Sequence, residues 1–480
     1  MTVRRLPIGL GLLGAVLLLL STGVARGQSA VGLVDPAGHG ASALGPGPAA
    51  LYGNPAHLTA GTRASGVEVQ VLRVGASSGG DLFQFGPYGE LFVRGDRPRL
   101  SDAEEQARLD QWFGDGLRRA TTTVEVVPVA LTGRAPGGRW AVGGAVRGRV
   151  VQRSALDRGA LDLLLRGTDP SRTIPVNGQT RLYSLLDVTG AVSVRLGAWS
   201  IGVAPRLILG TGYADGRLRS EVTVREQALL HRFDYTARAA GGLSTGLYDT
   251  FDAFSAPPTR QVVGTTDGIV GLGGGLDAGL SYAFHSDLHL SASVAGLGTV
   301  RWTEAAQTVR PAQNAFRFEG LKLDLQRLET DFGGDLGGYV EHQVDSLARA
   351  AYEDVERTRA PFRSTLPATV RAGGTWAPGP ATHTGGVSVD VVDPARAGAR
   401  PVAVHAGGAV SLGPIPVRAG VRLGTRQAMT VMGGVGLDLG GYRLDVGGRL
   451  TPDTSWLGAG ARYAVGLSLG TVRTGYAAVR

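Results

Sequence analysis

The sequence feature that most constrains the fold is an alternation of side chains with a period of two residues. Apolar side chains and glycine occupy one face of residues 140–150, namely Trp140, Val142, Gly144, Val146, Gly148 and Val150. The other face carries small side chains together with Arg147 and Arg149. The same alternation recurs in residues 188–197, 288–295, 417–423 and 442–450. Because successive side chains of a β-strand point to opposite faces, the pattern predicts strands of about ten residues.

The length of these segments separates two all-β architectures. Turn-forming residues such as Ala135–Pro136–Gly137–Gly138 divide them, and we count about 14 segments. A soluble β-sandwich uses strands of about 5 or 6 residues, whereas strands twice as long, apolar on one face and polar on the other, are typical of membrane barrels. The sequence therefore predicts an all-β fold, a transmembrane antiparallel β-barrel of about 14 strands. A soluble all-β protein is the alternative.

Aromatic side chains should mark the two membrane interfaces of such a barrel. They make up only 6% of the chain, so most of those in predicted strands would be needed. The candidates are Trp140, Trp199, Tyr282, Phe284, Trp302, Trp376, Tyr442 and Tyr463.

The N-terminal residues indicate export. Arg4 and Arg5 precede an apolar run from Ile8 to Leu20, and Ala25–Arg26–Gly27 offers a cleavage site before Gln28. The run is shorter than the ~20 residues of a spanning helix, so residues 1–27 are predicted to be a cleaved signal peptide rather than a retained anchor. No later stretch is long and apolar enough for a transmembrane helix. The predicted location is the outer membrane of a Gram-negative bacterium.

Three segments interrupt the alternation and define the predicted domains. Residues 28–62 are small and turn-rich and are predicted to form an N-terminal plug, with the barrel in residues 63–480. Residues 101–119 favour a short helix, which Ser101 and Glu104 would cap. Residues 321–357 favour a longer, interrupted helical insertion, because Val340, Val344, Leu347, Ala351 and Val355 have helical spacing.

The charged residues argue against one class of partner and define a candidate site. The arginines are scattered along alternating segments instead of forming a basic patch with aromatic residues, which argues against nucleic-acid binding. In a barrel, the arginines on the polar face would line the lumen, with Asp390, Asp438 and Asp445 as partners. They either favour passage of anionic or amphipathic solutes or fill a closed barrel with salt bridges. The candidates are Arg147, Arg149, Arg195, Arg206, Arg418, Arg422, Arg443 and Arg449.

Catalytic signals are weak, and we expect neither an enzyme nor a cofactor. Ser468 lies in a G-x-S-x-G pattern, but the surrounding residues alternate as a strand, whereas the hydrolase motif needs a strand–turn–helix elbow. His285 and His289 would be about 13 Å apart on a strand, too far for one metal ion. A membrane-embedded hydrolase centred on Ser468 is kept as a third hypothesis.

The stretch from Ala49 to Leu58, Ala-Ala-Leu-Tyr-Gly-Asn-Pro-Ala-His-Leu, resembles the start of the long-chain fatty-acid transporter family of outer-membrane barrels. Type IX secretion barrel components and uncharacterised barrels of the Bacteroidetes lineage begin similarly. The resemblance implies a barrel of about 14 strands with an internal plug. It places Asn54, Pro55 and Ala56 at the plug turn.

The resemblance implies passive transport of hydrophobic or amphipathic small molecules across the outer membrane. The alternative is a non-transporting barrel that anchors or hands over secreted proteins, with residues 321–357 as the docking element. The expected partners are outer-membrane lipid and either a hydrophobic small molecule or a secreted protein.

Overall fold

The structure is a computed structural model. It describes residues 47–59, 66–80, 82, 101–113, 116–166, 173–225, 228–242, 268–318, 325–333, 335, 342, 355–377, 381–392, 402–424, 427–439, 442–451 and 462–475. The predicted signal peptide, residues 1–27, lies outside the described residues.

The described strands form one antiparallel sheet. They are β1 (Gly66–Gly79), β2 (Arg118–Arg134), β3 (Trp140–Leu156), β4 (Thr173–Leu196), β5 (Trp199–Arg225), β6 (Ala228–Ala240), β7 (Gly271–Ala283), β8 (Leu288–Trp302), β9 (Gln307–Pro311), β10 (Ala315–Phe318), β11 (Val355–Arg359), β12 (Phe362–Thr365), β13 (Ala368–Trp376), β14 (Ala381–Val392), β15 (Val402–Leu412), β16 (Ile415–Gly424), β17 (Gln427–Asp438), β18 (Tyr442–Thr451) and β19 (Arg462–Gly475).

Fourteen of these strands close into a ring. The order around the ring is β1, β2, β3, β4, β5, β7, β8, β13, β14, β15, β16, β17, β18 and β19. The last strand pairs with the first, from Gly66 opposite Gly475 to Gly79 opposite Arg462. A closed ring leaves no sheet edge for lipid to meet. The predicted fold class, an antiparallel barrel of about 14 strands, is confirmed.

The two ends of the barrel differ. At one end, hereafter the short-turn end, six hairpins have connections of two to five residues. Gly66 and Gly475, which begin β1 and end β19, pair at this same end. The other end, hereafter the loop end, carries all the longer connections between ring strands and one short one, between Gly424 and Gln427. Since bacterial barrels have short periplasmic turns and longer extracellular loops, the loop end is the extracellular one.

The loop end is extended by further strands and by helices. The far ends of β4 and β5 continue beyond the ring, and β6, β9, β10 and β11 add to them, while β12 pairs with β8. Helix α1 (Asp102–Phe113) begins with a capping box in which the Ser101 backbone N–H donates to Glu104 at 2.7 Å. Helix α2 (Arg158–Arg166) joins α1 over a buried apolar cluster.

Of the second predicted insertion, residues 321–357, the structure describes one helix and the first residues of a strand. Helix α3 (Leu325–Phe332) ends at Gly333, whose φ of 57° suits a glycine helix terminus. The helical interpretation is wrong at Val355, which begins strand β11 and pairs with Pro311 of β9. Strand pairing therefore overrides the apolar spacing at the end of this segment.

The outer face of the barrel carries the apolar side chains of the alternation. Val142, Ile201 and Leu207 are exposed, while the residues between them on each strand are turned inward. Aromatic residues gather on this face near the short-turn end: Trp140, Trp199, Tyr282, Phe284, Trp376 and Tyr442. A closed barrel with an apolar outer band and an aromatic rim is the architecture of outer-membrane proteins. The protein spans the outer membrane, as predicted.

Trp302 is a correction to the predicted aromatic belt. It is fully buried and points into the barrel, where its ring lies 5.0 Å from that of Tyr213. The reason is Gly296 in β8, whose φ of 91° accompanies a register shift between β7 and β8. Even-numbered residues face outward before Gly296 and inward after it. The side chain of Tyr463 lies outside the described residues. None of the helices in the described ranges is long and apolar enough to cross a membrane.

Candidate functional site in the barrel interior

A short N-terminal segment lies within the ring of strands. Residues 47–59, hereafter the inner segment, form two 3-10 helices, Gly47–Tyr52 and Pro55–Leu58. Nearly all of its side chains are buried, and it contacts β1 to β5 and β7. Of the predicted plug, residues 28–62, the structure describes this part alone.

Asn54 joins the inner segment to the barrel wall. Its side-chain oxygen accepts a hydrogen bond from Ala56 N at 3.0 Å and so caps the second 3-10 helix, while Pro55 occupies the first turn. Its amide nitrogen donates to the carbonyl oxygens of Leu280 and Ala292, each at 3.3 Å. One side chain therefore shapes the turn and fixes it to β7 and β8.

Glycines in the wall make room for the inner segment. A Cβ on Gly279 would lie 1.7 Å from Asn54 Oδ1, and a Cβ on Gly202 would lie 2.3 Å from Ala56 N. A Cβ on Gly143 would lie 2.7 Å from Leu51 Cδ2. All three distances are too short for real atoms, so these glycines of β3, β5 and β7 form a seat that admits the backbone of the segment.

The far end of the inner segment is held by polar contacts. The hydroxyls of Thr59 and Ser193 are 2.6 Å apart, and Ser193 also donates to Ala56 O at 3.2 Å. Arg134 Nη2 donates to Thr59 O at 2.6 Å. The segment is thus fixed along its length to the wall formed by β1 to β5 and β7, hereafter the segment wall.

A buried ionic cluster lies next to the inner segment, centred on Asp187. Arg147 Nη2 lies 2.7 Å from Asp187 Oδ2, Arg149 Nε lies 3.1 Å from it, and Arg206 Nη1 lies 3.7 Å from it. The Arg147 guanidinium also stacks 5.1 Å from the ring centre of Tyr52. A buried carboxylate with three guanidinium partners is well compensated for its loss of hydration.

The cluster continues to an irregular part of the wall through Arg206. Arg206 Nη2 lies 3.2 Å from Asp277 Oδ1 and donates to Leu297 O at 3.1 Å. Asp277 Oδ1 also accepts from Gly296 N at 2.7 Å. Asp277 lies at the register shift between β7 and β8. Its carboxylate accepts the hydrogen bond of a backbone N–H that the shift takes out of the regular strand pairing.

An apolar layer lies above the ionic cluster, toward the loop end. It contains Leu185, Ile208 and Trp302, all buried, and the Tyr213 ring contacts the rings of Trp302 and Phe362 at 5.0 and 5.2 Å. Along the segment wall the interior is therefore layered: apolar at the loop end, ionic in the middle, and filled by the inner segment near the short-turn end.

The wall across the ring, β13 to β19, hereafter the glycine wall, has a different inner face. At inward-facing positions of the described strands, glycine pairs with glycine in register four times: Gly373 with Gly386, Gly407 with Gly420, Gly434 with Gly447, and Gly447 with Gly466. Between them Asp445 binds Arg418 at 2.6 Å and Arg443 at 2.8 Å. The Arg443 side chain keeps 23% of its exposure, against 1% for Arg206 of the segment wall.

The structure brings the predicted lumen arginines into two groups. Arg147, Arg149 and Arg206 share the Asp187 cluster, and Arg418 and Arg443 share Asp445. The other three stand apart from these: Arg422 lies opposite His405, Arg449 lies opposite Met432, and Arg195 donates to Gly197 O near the short-turn end. All eight occupy inward-facing positions of their strands.

Sequence reasoning did not single out the acids of the segment wall. Glu125, Asp187 and Asp277 all lie on inward faces, and Glu125 Oε2 is 3.9 Å from Arg147 Nη1. The available signal was an acid at a polar position within an alternating run, as for Asp187 immediately before Val188. Of the three predicted partners, Asp445 is paired as expected, Asp438 has interactions of its own, and the side chain of Asp390 lies outside the described residues.

The described residues form neither a serine hydrolase site nor a metal site. Ser468 lies within the continuous strand β19, so the G-x-S-x-G pattern is not a strand–turn–helix elbow. No group of three histidines, aspartates or glutamates that could hold a metal ion occurs among the described side chains.

Comparisons with known proteins cover most of the chain. A family model described as a family of unknown function (DUF5723) matches residues 118–399. No curated protein matches the sequence significantly.

Several solved structures are similar to this chain over nearly their full length. A Pseudomonas aeruginosa FadL homologue is 12% identical, with 94% of this chain and 98% of that chain covered and a TM-score of 0.47. The Ralstonia pickettii toluene transporter TbuX is 11% identical, covers 95% and 100%, and has a TM-score of 0.45. The Pseudomonas putida toluene transporter TodX is 10% identical, covers 95% and 99%, and has a TM-score of 0.43.

Proposed function

Because the chain belongs to DUF5723, a family of unknown function, we propose its function from its own residues. The protein is an outer-membrane channel for passive passage of hydrophobic or amphipathic small molecules, with residues 28–62 as its plug. The same passage is implied by the resemblance of residues 49–58.

The observation that carries the proposal is the inner face of the glycine wall. Glycines in register, such as Gly434, Gly447 and Gly466, leave one row of this face without side chains across three neighbouring strands. The inner segment contacts the opposite side of the ring. A solute would therefore pass between the inner segment and this row of glycines, where the described residues place little side-chain volume.

The polar groups beside the glycines favour one class of solute. Arg418 and Arg443 share one acid, Asp445, and the Arg443 side chain remains partly exposed. Such a site attracts a carboxylate or another anionic headgroup. Among the solutes considered, an amphipathic molecule with an acidic head is therefore favoured.

The first experiment measures solute flux into liposomes with the purified barrel, using small apolar and amphipathic probes. Deletion of residues 28–62 is expected to change the flux. If flux equals that of empty liposomes both with and without these residues, the channel proposal fails and a barrel closed by internal salt bridges is the better description.

A matched pair of glycine substitutions locates the path. Gly447→Phe places a ring on the inner face and is expected to reduce flux severalfold, whereas Gly448→Phe on the same strand faces lipid and serves as the control. Equal flux in the two variants would place the path elsewhere. Heat-modifiable gel mobility confirms that each variant forms a barrel.

The other two hypotheses stay predictions with tests of their own. Docking of a secreted protein requires a partner that co-purifies with the full chain and is lost when residues 321–357 are removed. Hydrolase activity centred on Ser468 requires a loss of activity in Ser468→Ala.

A further inference from the structure

We infer that Arg301 and Arg363 form a binding site for the phosphate of an outer-leaflet lipid headgroup. The two arginines are directly opposite each other on β8 and β12. Both are exposed, and neither has a hydrogen bond or ion pair to any part of the chain that the structure describes. The site lies outside the lumen, so it is independent of the proposed transport.

The outward direction of this pair is fixed from the inside of the barrel. Trp302 and Ser364, the next residues along the two strands, join through a hydrogen bond from Trp302 Nε1 to Ser364 Oγ at 2.8 Å. Phe362, on the other side of Arg363, contacts the Tyr213 ring in the apolar layer. Since neighbours on a strand face opposite ways, these inward contacts hold both guanidinium groups on the outer surface.

Two like charges directly opposite each other on neighbouring strands are unfavourable without an anion between them. The next cross-strand pair on the same outer face is Thr299 with Thr365, which adds two hydroxyl donors. Guanidinium groups bind phosphate through paired N–H donors. The arrangement therefore matches a phosphate monoester or diester.

The position of the pair on the barrel selects a lipid as the source of the phosphate. Leu272 of β7 is opposite Arg301, faces outward and is 58% exposed. From Tyr282 at the aromatic rim to Leu272, the strand climbs about 25 Å along the barrel axis at the usual rise and tilt, which is the height of the apolar band. Arg301 and Arg363 thus lie where that band ends on the extracellular side, at headgroup level.

The test measures binding of lipid A, with and without its phosphates, to the full barrel in neutral detergent by native mass spectrometry. We expect the unmodified protein to retain phosphorylated lipid A preferentially. The double variant Arg301→Gln/Arg363→Gln should bind it roughly tenfold or more weakly. The control, Arg217→Gln/Arg219→Gln, removes two exposed arginines of β5 beyond the apolar band and should bind as the unmodified protein does.

Several outcomes would overturn the inference. These are equal binding of the phosphorylated and dephosphorylated lipids, an equal loss in the control variant, or unchanged binding in the double glutamine variant. Full displacement of the lipid by inorganic phosphate at the same concentration would assign the site to free phosphate instead. Arg301→Lys/Arg363→Lys, which keeps the charge, should recover part of the binding, and heat-modifiable mobility shows that each variant is folded.

Discussion

The segment wall and the glycine wall follow the same alternation of inward and outward residues but differ in what occupies their inner faces. On the segment wall, atoms of residues Asn54–Ala56 occupy the space that side chains at Gly202 and Gly279 would need. On the glycine wall, Gly434 and Gly447 pair with each other across the sheet. On the segment wall the glycines seat another part of the chain. On the glycine wall, in the proposed function, glycines in the same inward-facing positions would give clearance to a solute.

The two walls also differ in how they hold charge. The side chain of Asp187 is fully buried and forms ion pairs with three arginines. The side chain of Asp445 is 16% exposed and forms ion pairs with two arginines. Removing a partner from a buried ionic group costs more than removing one that water still reaches. If the proposed function is right, the segment wall contributes mainly stability and the glycine wall contacts the solute.

The largest expected effect comes from Asp187→Asn. It leaves Arg147, Arg149 and Arg206 without their shared carboxylate, and we expect a loss of about 3–5 kcal/mol in the free energy of unfolding. Asp445→Asn should cost clearly less, because Arg443 is partly exposed. Urea unfolding followed by tryptophan fluorescence measures both. Equal losses would remove the proposed difference between the walls.

A smaller effect is expected from Gly202→Val. Its Cβ would collide with Ala56 N, so the inner segment must move, at a cost of roughly 1–3 kcal/mol. Gly434→Val on the glycine wall should change stability less and reduce flux more. Protease cleavage within residues 47–59 reports whether the segment has left its seat. Cleavage that stays at the unmodified level in Gly202→Val would contradict the seat.

The smallest effect is expected from Asn54, where two variants separate its two roles. Asn54→Ala removes both the cap and the bonds to the wall and should destabilise the segment by about 1–2 kcal/mol. Asn54→Asp keeps the acceptor for Ala56 N but places a carboxylate against the carbonyl oxygens of Leu280 and Ala292. Amide hydrogen exchange should rise in both variants. Protection that survives in Asn54→Asp would show that the cap alone matters.

The faces of the strands could be predicted from the sequence because period two is a local property. The alternation assigned Arg147 and Arg418 to inward-facing positions without knowledge of their neighbours. It failed at Trp302, because Gly296 changes the parity of β8 and the pattern before it cannot be continued past it. A register shift depends on how adjacent strands pair, and its only sign in the sequence here is a glycine.

The side-chain contacts inside the barrel were less predictable from the sequence than the ring of strands. That Asp187 meets Arg147 and Arg206 follows from the order and register of β3, β4 and β5, which the sequence alone does not state. The Asn-Pro-Ala turn could be recognised, but not that Asn54 would bind carbonyl oxygens more than 200 residues away in β7 and β8. Long-range pairings carry no local signature in a single chain.

The seat of Asn54 has a consequence for the order in which the protein assembles. The two carbonyl oxygens that receive its amide come from residues 226 and 238 positions later in the chain. That docking place does not exist until β7 and β8 have met, although the segment that uses it precedes every described strand. The inner segment, which leaves the cytoplasm before these strands, is thus among the last parts to be immobilised, and it must stay available on the periplasmic side while the wall is completed around it.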